Sequence, residues 1–250
     1  MSELKTDHHP DGTQIWFEEE DHRYFTKERE SFTSGTTFVH RFFPEFDKQA
    51  VARRCSLKTG KPVEEYLAEW EYAGIYGTNM HNYCENLLLT NMAFTDSGPE
   101  GEKEAACRPF AWQACERLLK AYKLLKAEKI VFCPDLGISG MIDLLMYDEK
   151  RNVVMILDWK TNKKIEQRCF GKYGFGLCQD LPDVNWNKYR LQLSLYKYLL
   201  QRGGYFPPDA TYECALIHIN PNFPLNKSWF PFTSMDQYII PMVKEFQNIA

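Results

Sequence analysis

The spacing of apolar positions divides the chain into helical and extended stretches. In VEEYLAEWEYAGIYGTNMHNYCENLLLT (63–90), Leu67, Trp70, Ala73, Met80, Cys84, Leu87 and Leu88 recur at three to four residues, the period of one helix face. Gly74 and Gly77 predict a break within it. ACRPFAWQACERLLKAYKLLK (106–126) and KYRLQLSLYKYLLQRG (188–203) predict two further amphipathic helices, the second stopped at Gly203 and Gly204. Between them EKIVFCPD, GISGMIDLLMYD and NVVMILDWK read as strands, and TYECALIHIN (211–220) as another. QIWFEEEDHRYFT (14–26) alternates as a hairpin or edge strand does. SFTSGTTFVHRFFPEFD (31–47) reads as a hydroxyl-rich turn followed by a helix ending near Pro44. TDSGPEGE (95–102) is a loop, 165–188 is a long connection with Gly171, Gly174, Gly176 and Pro182, and 231–250 reads as a final helix interrupted by Pro241.

Helix, three strands, helix, strand is the order of an α/β domain with a central mixed sheet flanked by helices. We expect one domain: residues 1–62 as an N-terminal decoration, 63–220 as the core and 221–250 as a helical extension. The clearest local prediction is an antiparallel hairpin over 138–160. Polar groups interrupt its apolar runs: Asp143 lies inside IDLLMY, and Asp158 and Lys160 close VVMILDWK. A carboxylate on a buried strand costs several kcal/mol unless it is paired. Residues two apart on a strand share a face, so Asp158 and Lys160 point one way and Trp159 the other. If Asp148 pairs with Val153 around the EKRN loop, Asp143 falls opposite Asp158 and on the same face. An odd-numbered loop would turn Asp143 away, so an even-numbered connection is predicted.

Composition narrows the class. The 250 residues are 44% hydrophobic and 15% aromatic, enough for a sizeable core. Mean hydropathy is −0.47, no apolar run approaches a membrane span, and MSELKTDHHPDGTQ has no apolar signal region. These features predict a soluble, intracellular protein. The net charge of −4 excludes a protein coated in basic surface, yet leaves room for local clusters at Arg53–Arg54, Lys163–Lys164 and Lys188/Arg190. The eight cysteines form no CxxC pair, which argues against structural zinc and for reduced thiols.

Two opposed carboxylates beside an ammonium form a site for a hard divalent cation, Mg²⁺ or Mn²⁺, with Lys160 placed to stabilise charge developing on a phosphate. His81 and Glu85, at i and i+4 of one helix face, and Gln192 and Tyr196, spaced likewise, could join it. Tyr72, Tyr76, Trp159, Tyr173 and Trp186 are candidates for stacking on unpaired bases. Ser34, Thr36 and Thr37, with Arg41, could grip a terminal phosphate.

Taken in order, GTNMH (77–81), GMID (140–143), DWK (158–160) and QLSLY (192–196) resemble the GxxxH, GxxD, DxK and QxxxY series of the RecB-type branch of the PD-(D/E)XK nucleases. Glu128 resembles the acidic residue that often precedes the central hairpin, and 31–38 the Ser/Thr-rich element of several phage, viral and mitochondrial members. The resemblance implies a restriction-endonuclease-like core and Mg²⁺- or Mn²⁺-dependent cleavage of DNA. It implies His81, Asp143, Asp158 and the main-chain carbonyl of Trp159 as metal ligands and Lys160 as catalytic lysine. Glu85 is a weaker transfer to the catalytic set, and Gln192 and Tyr196 would shape the site and contact DNA. Thr161 and Lys163, just past the DWK motif, are further candidates for contacting DNA. Cys169, Cys178 and Cys214 lack the close spacing of the cluster-bearing subgroups, so a stand-alone exonuclease resembling the mitochondrial genome maintenance type fits better. The chain has no GxxxxGK[ST] loop, so a motor would be a separate helicase, and a polymerase is another expected partner. The rivals are a structure-selective endonuclease, an accessory DNA-binding module without activity, and an unrelated hydrolase of small phosphates.

Overall fold

The computed structural model describes residues 4–169 and 171–249. Strands β1 (Leu4–His8), β2 (Gln14–Glu18) and β3 (Arg23–Phe25) form a small antiparallel sheet. The central sheet is mixed and has six strands: β4 (Thr33–Ser34), β5 (Lys123–Cys133), β6 (Ile138–Asp148), β7 (Val153–Lys160), β8 (Thr211–His218) and β9 (Trp229–Phe232). The helices are α1 (Gly35–His40), α2 (Lys48–Thr59), α3 (Val63–Leu89), α4 (Glu102–Ala121), α5 (Asn185–Arg202) and α6 (Asp236–Ile249). None of the described helices is long and apolar enough to cross a membrane.

Alternation along the strands feeds two cores. Leu144, Met146, Met155, Leu157 and Trp159 pack on one face against Met80, Cys84 and Leu87 of α3 and Ala111 and Cys115 of α4. Leu145, Val154, Ile156 and Leu216 pack on the other against Phe38 of α1, Leu191 and Leu195 of α5, and Ile239 and Met242 of α6. A smaller core (Ile15, Phe17, Tyr24, Ile130, Phe132) joins the N-terminal sheet to β5. The mixed sheet between helical layers is the architecture expected from the order of elements.

The β6–β7 hairpin has the even-numbered connection. Asp148 pairs with Val153, and the register runs unbroken to Leu144 opposite Leu157. Asp148 holds the turn by accepting the N–H groups of Lys150 (3.1 Å) and Arg151 (3.2 Å). Beyond Leu144 the two strands part. β5 occupies one edge of β6 along its length. The other edge is shared by β7, which pairs with 144–148, and by β4, which pairs in parallel with Ile138 and Ser139. Positions 140–143 of that edge therefore have no strand partner, and this gap is where the cleft opens.

Several boundaries differ from the sequence expectations. Helix α3 does not break: it runs continuously through Gly74 and Gly77. The second amphipathic helix stops at Ala121 rather than 126, because 123–126 join β5 and pair with β6. The final helix is not interrupted by Pro241. It continues because Ile239, Met242 and Val243 are buried. The carbonyl that Pro241 leaves without a donor belongs to Gln237, at an exposed position. WFPF at 229–232 is an edge strand, and β1 was not foreseen. The 165–188 stretch carries a short 3-10 turn at Gly176–Cys178 and a bridge between Tyr173 and Pro182.

Candidate active site

The gap in the sheet lies at the floor of a cleft of about 430 Å³. Its walls are α3 (Gly77, His81), the N-terminal sheet (Lys5, His22, Tyr24), the start of α1 (Ser34, Thr36) and α5 (Gln192, Tyr196). Asp143 faces this space from β6, and Glu128 from β5. Flanking pairs of the β5–β6 ladder bring Glu128 opposite Asp143. Glu128 has φ +47°, a conformation that costs a non-glycine residue about 1 kcal/mol or more.

Strand β7 brings Asp158 and Lys160 to the same end of the sheet. The Trp159 ring points the opposite way into the α3–α4 core, 2% exposed, which rules it out as a stacking platform. Its backbone N–H donates to Asp143 Oδ2 (2.9 Å), so the two strands stay linked through a side chain where their ladder ends. His81 Nδ1 lies 3.2 Å from the same oxygen. Asp158 is buried, and the Lys160 ammonium is ion-paired with its Oδ2.

The electrostatics follow from burial. Removal from water pushes the Asp158 carboxyl up to about 6; the charge of Asp143 adds to this, while Lys160 and His81 oppose it. Burial alone would lower the Lys160 ammonium, but the Asp158 and Asp143 charges outweigh it and hold the proton more tightly than usual. Two carboxylates and one ammonium in a dry site leave an excess of negative charge, and a proton on Asp158 relieves it. Burial and the neighbouring Glu128 charge likewise raise Glu85. Glu128 is ion-paired with Lys5 of β1.

Among the described residues no three His, Cys, Asp or Glu side chains already form a group spaced to hold a metal ion. Asp143 faces the His81 imidazole and Asp158 the Lys160 ammonium instead. The donor set nevertheless fits a divalent cation: two carboxylates that repel, one of them buried, and a neighbouring imidazole. A cation here would displace the Asp158 proton and the paired ammonium.

The α5 pair is built into the same wall. Gln192 donates to the Tyr196 hydroxyl (2.8 Å) and to Thr36 Oγ1 (3.2 Å). The Tyr196 ring fills the gap in the sheet. A Cβ at Gly140 would stand 2.1 Å from its Cε1, and one at Gly35 2.6 Å from the same atom. Both glycines are therefore required by the ring. Ser34 caps α1 by accepting the Thr37 N–H (3.1 Å).

Not every candidate gathers here. Arg41 lies over the Phe246 ring (4.8 Å), not in the cleft lining. Thr161 approaches Gly77, 3.2 Å from where its Cβ would be, and Lys163 is exposed on the turn after β7. Tyr76 is core; Tyr72 and Tyr173 are exposed, and Trp186 is partly buried against the α5 core.

Sequence reasoning missed the residues that fix Lys160. Its ammonium sits over the Tyr189 ring (4.2 Å), and the Tyr189 hydroxyl donates to Asn162 Oδ1 (3.0 Å). His218, opposite Lys160 on β8, donates from Nε2 to the Asn162 carbonyl (2.6 Å), and Asn220 donates to the Lys163 carbonyl (3.2 Å). The turn after the DWK motif is thus pinned from two elements. Tyr189 is one helical turn before Gln192, the only signal that could have placed it in the site.

Among curated proteins none matches the chain closely enough to count as a relative. The family model of the PD-(D/E)XK nuclease superfamily matches residues 16–228, which span the N-terminal β2, the gap in the sheet and every strand that builds it up to β8. Members are generally metal-dependent nucleases, typically using divalent metals such as Mg²⁺, and the nuclease family implies DNA as substrate. With that match covering most of its length, the chain belongs to the PD-(D/E)XK nuclease superfamily.

Proposed function

We propose that this protein is a DNA exonuclease of the RecB-like branch that hydrolyses phosphodiester bonds at free or single-stranded ends during replication, repair or recombination. The observation that carries the reading is that Asp143 and His81 meet in the cleft at the break in the sheet, with the ion-paired Asp158 and Lys160 buried close to Asp143. Asp143, Asp158, His81 and the Trp159 carbonyl would hold Mg²⁺ or Mn²⁺. When bound, the cation supplies Lewis-acid neutralisation of the scissile phosphate. Lys160, kept protonated in its dry seat, orients the attacking water and offsets the negative charge that builds on the phosphate. Gln192, Tyr196 and Thr36 line the wall where the strand's phosphates and sugars would lie, with Ser34 and Thr37 holding the α1 turn beside them. Thr161 and Lys163 follow on the outgoing side.

The test is cleavage of end-labelled single- and double-stranded linear DNA and a closed circle, with Mg²⁺, Mn²⁺ or EDTA, by the wild type, Asp158→Ala and Lys160→Ala. Metal-dependent shortening of linear DNA only, lost in both variants, is expected. Cutting of the circle would establish an endonuclease instead. DNA binding without cleavage under either metal would leave an accessory module.

A further inference from the structure

Outside the cleft, the strongest unexplained feature is helix α2. It packs against the first half of α3 and makes no comparable contact with another element. That half of α3, residues 63–75, buries no side chain, so the two helices stand out from the domain as an arm. Helix α2 carries Lys48, Arg53, Arg54 and Lys58 and no acidic residue, in a chain whose net charge is −4. Elsewhere many lysines and arginines are paired: Lys61, next to α2, contacts Glu65 and Glu69. Among the described residues none of the four α2 cations has an ion-pair partner, and all four are exposed. Ala52, the helix's single buried residue, marks the side facing α3. At 100° per residue, Arg53, Arg54 and Lys58 fall on the opposite side, around Leu57, which is 88% exposed.

Unpaired cations on a protruding helix need a polyanion or solvent. From the charge complementarity, we propose that the outward face of α2 is a docking surface for the phosphate backbone of the DNA strand held in the cleft. This rests on the nuclease reading and extends it. The two sites share an element: His81 lies on α3, 18 residues beyond Val63, or about 27 Å of helix. α2 flanks the first part of that span, so it meets the strand well out from the reacting end rather than in the cleft. Lys163 lies between them, its charge acting on Glu69 of α3 and Lys103 of α4. The cations contact phosphates, not bases, so the grip is independent of sequence and sensitive to salt.

The test is fluorescence anisotropy of labelled single-stranded DNA in EDTA, at several salt concentrations, on the full chain. A trinucleotide and a strand of about 25 nucleotides are compared, because only the long one reaches α2. The variant is Arg53→Gln/Arg54→Gln/Lys58→Gln. Its sites are exposed, and the charge-preserving Arg53→Lys/Arg54→Lys/Lys58→Arg checks that charge is what matters. We expect the glutamine variant to bind the long strand about tenfold or more weaker, with a log–log salt slope smaller by about 2 (three contacts at roughly 0.7 each). Trinucleotide binding and metal-dependent trinucleotide cleavage stay at wild-type level, and the charge-preserving variant binds the long strand normally. Wild-type affinity and slope in the glutamine variant overturn the proposal alone, while metal-dependent cleavage keeps the nuclease reading. A wild type that neither binds nor cuts DNA with either metal overturns both. Unchanged DNA binding together with lost binding to anionic phospholipid vesicles assigns the face to a membrane surface and overturns the proposal.

Discussion

Gly140→Ala is a single-methyl test of how the cleft is built. The added Cβ would stand 2.1 Å from Tyr196 Cε1, 2.7 Å from Cζ and 2.8 Å from the hydroxyl oxygen. Ordinary carbon contacts lie at about 3.5–4.0 Å, so a displacement on the order of 1.5 Å is needed. The ring is 3% exposed and has Gly35 against the same edge, where a Cβ would also come within 2.6 Å, so it has nowhere to swing. Strand β6 or helix α5 must give instead. Overpacking of this kind costs about 1–3 kcal/mol. For a domain of this size that is a melting temperature lower by roughly 2–12 °C. Activity should suffer more than stability. The Gln192–Tyr196 hydrogen bond and Asp143, three residues along the same strand, move with the ring. A misplacement of about 1 Å can cost on the order of a hundredfold in rate. The assay is thermal melting with kcat/KM on end-labelled DNA, for Gly140→Ala, Tyr196→Leu and the double variant. The shorter side chain relieves the clash, so the double variant should melt at least 1 kcal/mol closer to wild type than the sum of the singles. A Gly140→Ala protein that melts within about 1 °C of wild type, with additive double-variant behaviour, would refute the packing argument.

Two other outcomes follow from the site. Below about 6, Asp158 holds a proton and has no charge to offer a cation; above it the carboxylate is free. Mn²⁺ affinity, measured calorimetrically without DNA, should therefore fall about tenfold per unit as pH drops below that value, with proton uptake by the buffer on binding; a flat profile would remove Asp158 from the ligand set. Tyr189→Phe keeps the ring beneath Lys160 and removes the hydroxyl that holds Asn162. It should cost about 1 kcal/mol of stability and lower kcat severalfold at unchanged KM, whereas a loss of stability with kcat intact would show that the turn after Lys160 needs no such support.

The β6–β7 hairpin was readable because its faces are set by parity. A four-residue loop with Asp148 opposite Val153 leaves one register in which both apolar runs face cores, and that register decides where Asp158, Trp159 and Lys160 point. What was not readable lies where long-range pairing overrides local pattern. LLKAYKLLK continues a helical period, yet its second half pairs with β6 and becomes strand. β9 has four residues and a proline, tolerable at a sheet edge but hardly a strand signal. β1 has one buried side chain, Asp7, which accepts from Lys129 and the Ile130 N–H, so its sequence shows no apolar alternation. Gly74 and Gly77 read as a break because glycine disfavours helix, but the second half of α3 is held by its buried face. The charged residues of the candidate site were legible and their supports were not. His218 and Tyr189 act on Lys160 through the Asn162 turn, a geometry that motif order does not encode.

The parallel pairing of β4 with β6 also bears on when the site comes into being. Thr33 must find Ile138, and Val153 must find Thr211, before the cleft has all its walls. Both closures span long separations and belong among the slow, late steps of folding. Until β8 arrives, β7 is a bare edge whose Asp158 and Lys160 stay hydrated. A nascent chain on the ribosome would thus carry the DWK motif long before it has the dry pocket that gives the motif its chemistry.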